Sequence, residues 1–147
     1  MLSKLIKKSF STPSMQHFSG DISLLLSRIF FGLTMAFMHG SHKLPPSEQF
    51  INFITNLGFP TPFVFAWMAG LTEFVGGMMI ALGLATRISS FLMIQTMMVA
   101  VFMAHAGDPF KKMELGLCYL FASLLFMSLG AGRYSLDYLI DKKYRRH

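Results

Sequence analysis

Apolar residues along this chain fall into four long blocks, Ile22–Met38, Phe63–Leu84, Ile88–Ala104 and Leu115–Leu129, each followed by Gly, Pro, His or charged residues. A helix that crosses a bilayer needs roughly 17–25 predominantly apolar residues, and the last block reaches that length only if Glu114 and Gly130 to Gly132 extend it. A soluble bundle of buried helices would show polar faces at helical spacing. Phe91-Leu92-Met93-Ile94 and Leu124-Leu125-Phe126-Met127 are instead apolar all round. The pattern predicts an all-α protein, an integral membrane four-helix bundle, with spans at about 22–38, 63–84, 88–104 and 114–130 inside a transmembrane domain of 21–133. Short interfacial helices flank it. In residues 1–20, Leu2, Leu5, Ile6 and Phe10 can share one face with lysines opposite, and in the basic tail 134–147, Leu136, Leu139 and Ile140 lie among charges.

Composition agrees: 53% of residues are hydrophobic and only 14% charged, too few to cover a soluble domain. The net charge of +6 comes without a Lys/Arg stripe interleaved with aromatics, so the lipid bilayer, and no nucleic acid, is the expected partner. With four spans both termini share a side. That side carries Lys4, Lys7, Lys8, Arg87, Arg133, Lys142, Lys143, Arg145 and Arg146, against Lys43, Lys111 and Lys112 opposite, so both termini are expected in the cytoplasm. No apolar stretch precedes Asp21, which argues against a cleaved secretory signal, although the Ser-rich, acid-poor start also permits a mitochondrial presequence. A single cysteine, Cys118, excludes an intrachain disulfide, a thiol relay within the chain and a Cys-rich metal site.

Ionisable groups at membrane depth cost roughly 2.5–3.5 kcal/mol on insertion scales and usually face a partner or a cavity. Arg28 lies ~9 Å into the first block and Glu73 ~16 Å from the outer end of the second, at ~1.5 Å per residue. The two helices are antiparallel neighbours, so an Arg28–Glu73 pair is expected. Gly32, Ala36 and Gly40 on one helix, with Ala66, Gly70 and Gly77 on the other, would let the backbones close around it. The pair reads either as a structural ion pair or as a protonatable carboxyl serving proton transfer or a ligand.

A second group of polar residues gathers at the outer ends: His39, His42 and Lys43 after the first span, His105 and Asp108 after the third, and Glu114 at the start of the fourth. Such a rim can bind an anion, relay protons or hydrogen-bond a quinone carbonyl, or it can be merely solvated. Gln95 in the third span joins Arg28, Glu73, His39, His105 and Glu114 as candidates for ligand or proton binding. No metal site is expected. His39 and His105 on different helices do not form a specific haem signature, and the methionines are scattered rather than arranged for copper. No catalytic triad, phosphate loop or paired catalytic carboxylates occur.

Spans two and four both end in a Leu-Gly turn closed by Arg (Leu82-Gly83 to Arg87, Leu129-Gly130 to Arg133), a faint two-helix repeat. Arg28 with Phe31-Gly32, Glu73-Phe74-Val75-Gly76-Gly77 with Leu82-Gly83-Leu84, His105, and the ending Gly130-Ala131-Gly132-Arg133-Tyr134-Ser135-Leu136-Asp137 resemble the DoxX family of small bacterial membrane proteins. The resemblance covers about residues 20 to 138; the family often has Pro at Ala131 and Trp at Tyr134. It implies a four-span bundle in the bacterial inner membrane, structural roles for Gly76, Gly77, Gly83, Gly130, Gly132, Arg133 and Asp137, and a link to membrane redox complexes such as the DoxD subunits of thiosulfate:quinone oxidoreductase.

The leading expectation is a quinone-associated membrane subunit of a redox or oxidative-stress complex, working with soluble or membrane redox partner proteins. Its ligand would sit between spans one and two near Glu73. Quinone is the candidate cofactor, and the chain itself is at most an oxidoreductase subunit. The alternatives are a small transporter, which would have to form a homo-oligomer, and a non-catalytic scaffold for partner proteins.

Overall fold

In a computed structural model the described residues, Phe18–Tyr144, are helices and short connections, with no strand among them. Of the surface helix expected over residues 1–20 only Phe18 to Gly20 fall in this range, and they open the first span; the rest, like residues 145–147, lies outside the described residues. Among the described residues four continuous helical runs are long and apolar enough to cross a membrane: Ser19–Lys43, Pro62–Leu82, Thr86–Ala104 and Phe110–Leu129, called here spans one to four. Polarity is arranged inside out relative to a soluble protein. Phe30, Met38 and Phe121 are 63%, 64% and 65% exposed on the outward faces, while Arg28 and Glu73 are 0% and 1% exposed within. A hydrocarbon solvent favours that distribution.

The spans are built from α1 (Phe18–Thr34), α3 (Pro62–Leu71), α4 (Gly77–Leu82), α5 (Thr86–Val99) and α6 (Phe110–Leu129). Between spans one and two lies α2 (Glu48–Asn56), whose first turn is capped by Ser47 Oγ accepting from Phe50 N at 3.2 Å, and after span four comes α7 (Leu136–Tyr144). The end holding α2 is termed the loop end, and the end holding α7 the terminus end.

Span one is longer than its apolar block, which stops at Met38. It continues as a π-helical turn, Met35–Gly40, and a 3₁₀ turn, Ser41–Lys43. The reason is its contact with span two. A Cβ added to Gly32 would lie 2.5 Å from the Gly77 carbonyl oxygen, and one added to Gly77 would lie 2.8 Å from that of Gly32. Further along, a Cβ on Gly40 would strike the backbone of Glu73 and Phe74. Small residues thus bring the two backbones together over the whole length, and the chain stays helical because it stays packed.

Two more π turns, Thr72–Gly76 in span two and Ala100–Ala104 in span three, interrupt their helices in the half nearer the loop end or close to it. Each inserts one residue into the helical repeat and turns the following side chains, a feature frequent at functional sites. The core between the spans is filled by Leu24, Met35, Ile80, Met93, Met97 and Phe126 among others. The void left there, beside Phe31 and Gly77, is only about 10 Å³, room for one water molecule at most. That void is too small for a ligand.

Candidate functional site

The two buried charges, expected to pair with each other, lie in separate constellations. Arg28 turns towards the terminus end: its Nη1 donates to Ile80 O at 3.3 Å and its Nη2 to Tyr134 O at 2.7 Å. The Arg28–Glu73 pair expected from the sequence is therefore not formed. Ile80 is in the last turn of span two, where carbonyls lack intrahelical donors and a cation is favoured, so Arg28 closes that helix end.

The surrounding glycines explain how the side chain reaches it. Span two stops in a Schellman turn, with Gly83 N bonded to Ile80 O at 3.1 Å, Leu84 N to Met79 O at 2.8 Å, and Gly83 at φ +67. Any side chain on Gly83 would collide with the Arg28 guanidinium and Ser135. Asp137, 2% exposed, accepts from Ala85 N at 2.6 Å and Thr86 N at 2.9 Å, capping span three from a distant part of the chain. Ser135 Oγ accepts from Tyr138 N at 3.1 Å and so starts α7. Arg133 and Asp21 approach at 3.6 Å. Gly83, Gly132, Arg133 and Asp137 therefore meet with Arg28 in one anchor that ties the tail to spans one, two and three.

Glu73 instead faces the loop end. Lys43 Nζ donates to its Oε1 at 2.5 Å, while Oε2 is buried with no hydrogen-bond partner. A buried carboxylate is tolerated when paired, and Lys43, whose side chain is 32% exposed, brings its charge from the loop-end rim. The Lys43 ammonium also lies 5.5 Å from the centre of the Phe50 ring on α2. The extended helix of span one is what delivers this lysine. A helix ending at Met38 would have left it in the loop, which is why the pair was missed; the glycines at four-residue steps through Gly40 were the available signal.

Beside the pair opens a cavity of about 410 Å³, bounded by α2, α3 and span three. Its walls are chiefly apolar, with Phe50, Phe53, Ile54, Met68 and Leu92 among them, and its polar groups include Lys43, Glu73, Gln95 and His105. That is the composition of a small-molecule site: an apolar container with a few convergent polar groups. It lies between spans two and three rather than between spans one and two as expected.

The remaining candidates separate. His105 Nδ1 contacts Asp108 Oδ2 at 2.9 Å, and Lys112 Nζ reaches the other oxygen at 3.2 Å; the His105 bond first and the Lys112 bond second hold the Asp108 carboxyl below the usual carboxylate range. His39 packs edge-on against Tyr119 of span four, 5.4 Å between rings, away from the cavity. The π turn at Met35–Gly40 is the cause, since the extra residue breaks the three-turn register that would have aligned His39 with Arg28. Glu114 is exposed near the start of span four and lines no part of the cavity. Of the polar rim, Lys43 and His105 line the cavity together with Glu73, whereas His39 and Glu114 do not.

Comparison with known proteins adds a family. The sequence model of the family described as DoxX matches residues 23–106. A Bacillus subtilis (strain 168) protein named "Putative oxidoreductase CatD" is 30% identical over 125 residues, covering 84% of this chain and 91% of the relative. "Uncharacterized membrane protein Rv3486" of Mycobacterium tuberculosis is 27% identical over 153 residues, covering 90% of each. A Haemophilus influenzae protein is 28% identical over 138 residues, covering 88% of this chain and 91% of its own. No solved structure matches the chain.

Proposed function

This chain belongs to the DoxX family, and we propose that it works as the quinone-associated membrane subunit of a redox or oxidative-stress complex in the bacterial inner membrane, with both termini cytoplasmic. The observation that carries this reading is the cavity of about 410 Å³ at bilayer depth with a buried carboxylate–ammonium pair on its wall. Glu73 lies ~16 Å from the loop end of span two at ~1.5 Å per residue, within the hydrocarbon, where a water-soluble metabolite would not partition. The oxidoreductase name of a relative at 30% identity points the same way.

The residues fit such a head group. Lys43 offers ammonium protons to a carbonyl, and the unpartnered Glu73 Oε2 accepts a proton or a hydroxyl. A bound quinone would supply exchange of two electrons and two protons. The protein holds the ring in an apolar slot, keeps bulk water from it with the aromatic residues of α2, and holds a proton acceptor at Glu73. Gln95 and His105 complete the polar lining. Electrons would pass to or from a partner protein, since this chain carries no redox motif of its own.

A permeation unit has less support, because the Arg28–Asp137 anchor and the filled core occupy the terminus half, where a path across the membrane would have to run. Purification with native lipids followed by solvent extraction tests the proposal. It expects quinone and quinol together in near-stoichiometric amount from the unmodified protein, with the quinol share largely lost from Glu73→Gln. Extracts free of quinone, together with no uptake of added quinone, would overturn it.

A further inference from the structure

We propose that this cavity is filled sideways, from the leaflet at the loop end, by a tailed lipid-soluble molecule whose head donates a hydroxyl to Glu73 Oε2. The inference deepens the quinone reading and rests on it, since it concerns the same cavity. It specifies the reduced, hydroxyl-bearing form of the head and the route by which the molecule arrives.

The head follows from the orphaned oxygen. Glu73 is 1% exposed, and of its two oxygens one is satisfied by Lys43 and the other by nothing. An ionised carboxylate only accepts, so the missing partner is a donor. A quinone offers carbonyls alone and would leave Oε2 unsatisfied, whereas the quinol supplies the hydroxyl proton. Lys43 retains donors for a neighbouring oxygen of the same head.

The route follows from which wall is open. Spans two and three pack together through the Thr72–Gly76 turn and α4, and this packing falls away towards α3, leaving a wedge between the helices. Met68 on α3 and Leu92 on α5 line the cavity and are 53% and 45% exposed, so the wedge opens on the lipid-facing surface. Leu92 lies ~18 Å from the loop end of span three at ~1.5 Å per residue, so the mouth runs down about half the membrane. The loop end itself is roofed. Phe50, Ile54 and Leu57 of and after α2 cover the cavity there, Ile54 being 6% exposed, and the Lys43 cation sits against the Phe50 ring. A tail is thus accommodated by the mouth in the bilayer, while α2 lies over the cavity at the loop end.

The test uses the full chain in phosphatidylcholine nanodiscs with three probes: decyl-tailed benzoquinol, its dimethyl ether, and benzoquinol without a tail. Binding is read by native mass spectrometry and by displacement of decyl benzoquinone that quenches Trp67. The tailed quinol is expected to bind about tenfold or more tighter than its ether, the scale of one hydrogen bond to a charged group. Glu73→Gln should bring the two within about threefold, and Leu92→Phe with Thr96→Phe should slow association of the tailed probe about tenfold while leaving the tail-less one unchanged.

Equal binding of quinol and ether would overturn the head assignment while leaving the quinone reading standing if decyl benzoquinone binds. Indifference to both the tail and the mouth substitutions would overturn lateral entry. Failure of every probe, with only phospholipid retained, would remove the quinone reading as well. The ether comparison on the unmodified chain needs no variant, so a misfolded Glu73→Gln protein does not block the decision.

Discussion

If Arg28 serves the terminus-end anchor, its energetic partner is Asp137 and not Glu73, and a double-mutant cycle separates the two. Arg28 is fully buried and donates to the carbonyls of Ile80 and Tyr134, in the same anchor where Asp137 caps span three. Arg28→Met removes both bonds, each worth about 1.5–3 kcal/mol for a charged donor. Asp137→Asn weakens the caps on Ala85 N and Thr86 N, at about 1.5–3 kcal/mol for a hydrogen bond to a charged group. Residues in one network couple by about 0.5–3 kcal/mol, whereas those without shared partners add within about 0.5 kcal/mol. The double variant Arg28→Met/Asp137→Asn should therefore be about 1–3 kcal/mol less destabilised than the sum of its singles, and Arg28→Met/Glu73→Gln should be additive. Unfolding in mixed micelles under increasing SDS, followed by Trp67 fluorescence, gives the free energies. Should Arg28→Met fail to accumulate, Arg28→Lys keeps the charge and loses the two-pronged geometry, and the same comparison applies. Coupling of Arg28 to Glu73, with none to Asp137, would refute the assignment.

Gly32→Ala places a methyl 2.5 Å from the Gly77 carbonyl oxygen and should cost about 1–3 kcal/mol, seen as a lower midpoint in the same titration. Lys43→Met leaves Glu73 buried without its cation, so it should destabilise the protein, and Lys43→Met/Glu73→Gln should recover part of that loss. Arg133→Ala should change stability by no more than about 1 kcal/mol, because that side chain is half exposed and its approach to Asp21 is long. The folded-state carboxyl of Asp108 is held low by His105 and Lys112, so its stabilisation is present above the ordinary carboxylate range and is lost as pH falls through the lowered value. Hydrogen exchange in the turn preceding span four should accordingly stay slow at mildly acidic pH and accelerate only below that range.

The four spans were legible because the bilayer leaves so little freedom: apolar blocks of spanning length separated by Gly, Pro and charge have few other readings. The small-residue seam was legible for the same reason, since Gly32, Gly40 and Gly77 stand at helical steps and each proves to face the neighbouring backbone. Which buried charge meets which was not. Depth arithmetic placed Arg28 and Glu73 within reach, but it could not register that Gly83 clears a path for the arginine towards the tail, or that span one carries on to Lys43. His39 was misaligned because a π turn leaves no mark in hydropathy. The cavity was invisible for a related reason: its walls come from α2 and from the divergence of spans two and three, and neither follows from the content of a single block. The terminal Gly-x-Gly-Arg motif was visible as a motif, yet its role in capping span three through Asp137 needed the fold.

If Lys43 and Glu73 form the polar head of a binding site for a lipid-soluble quinone, as proposed above, occupancy must saturate and must depend on the ammonium of that pair. The chain has a single tryptophan, Trp67, on α3, whose Met68 and Ala69 line the cavity, so quenching by decyl benzoquinone in nanodiscs reports a quinone held near that helix. Saturable quenching at one quinone per chain is expected, weakened about tenfold or more by Lys43→Met, left within about threefold by Glu73→Gln, whose Oε2 finds no donor on a quinone, and unchanged by Cys118→Ser on the exposed face of span four. Quenching that rises linearly with quinone in the membrane, identical in all four proteins, would mean only collisions from the lipid and would contradict it.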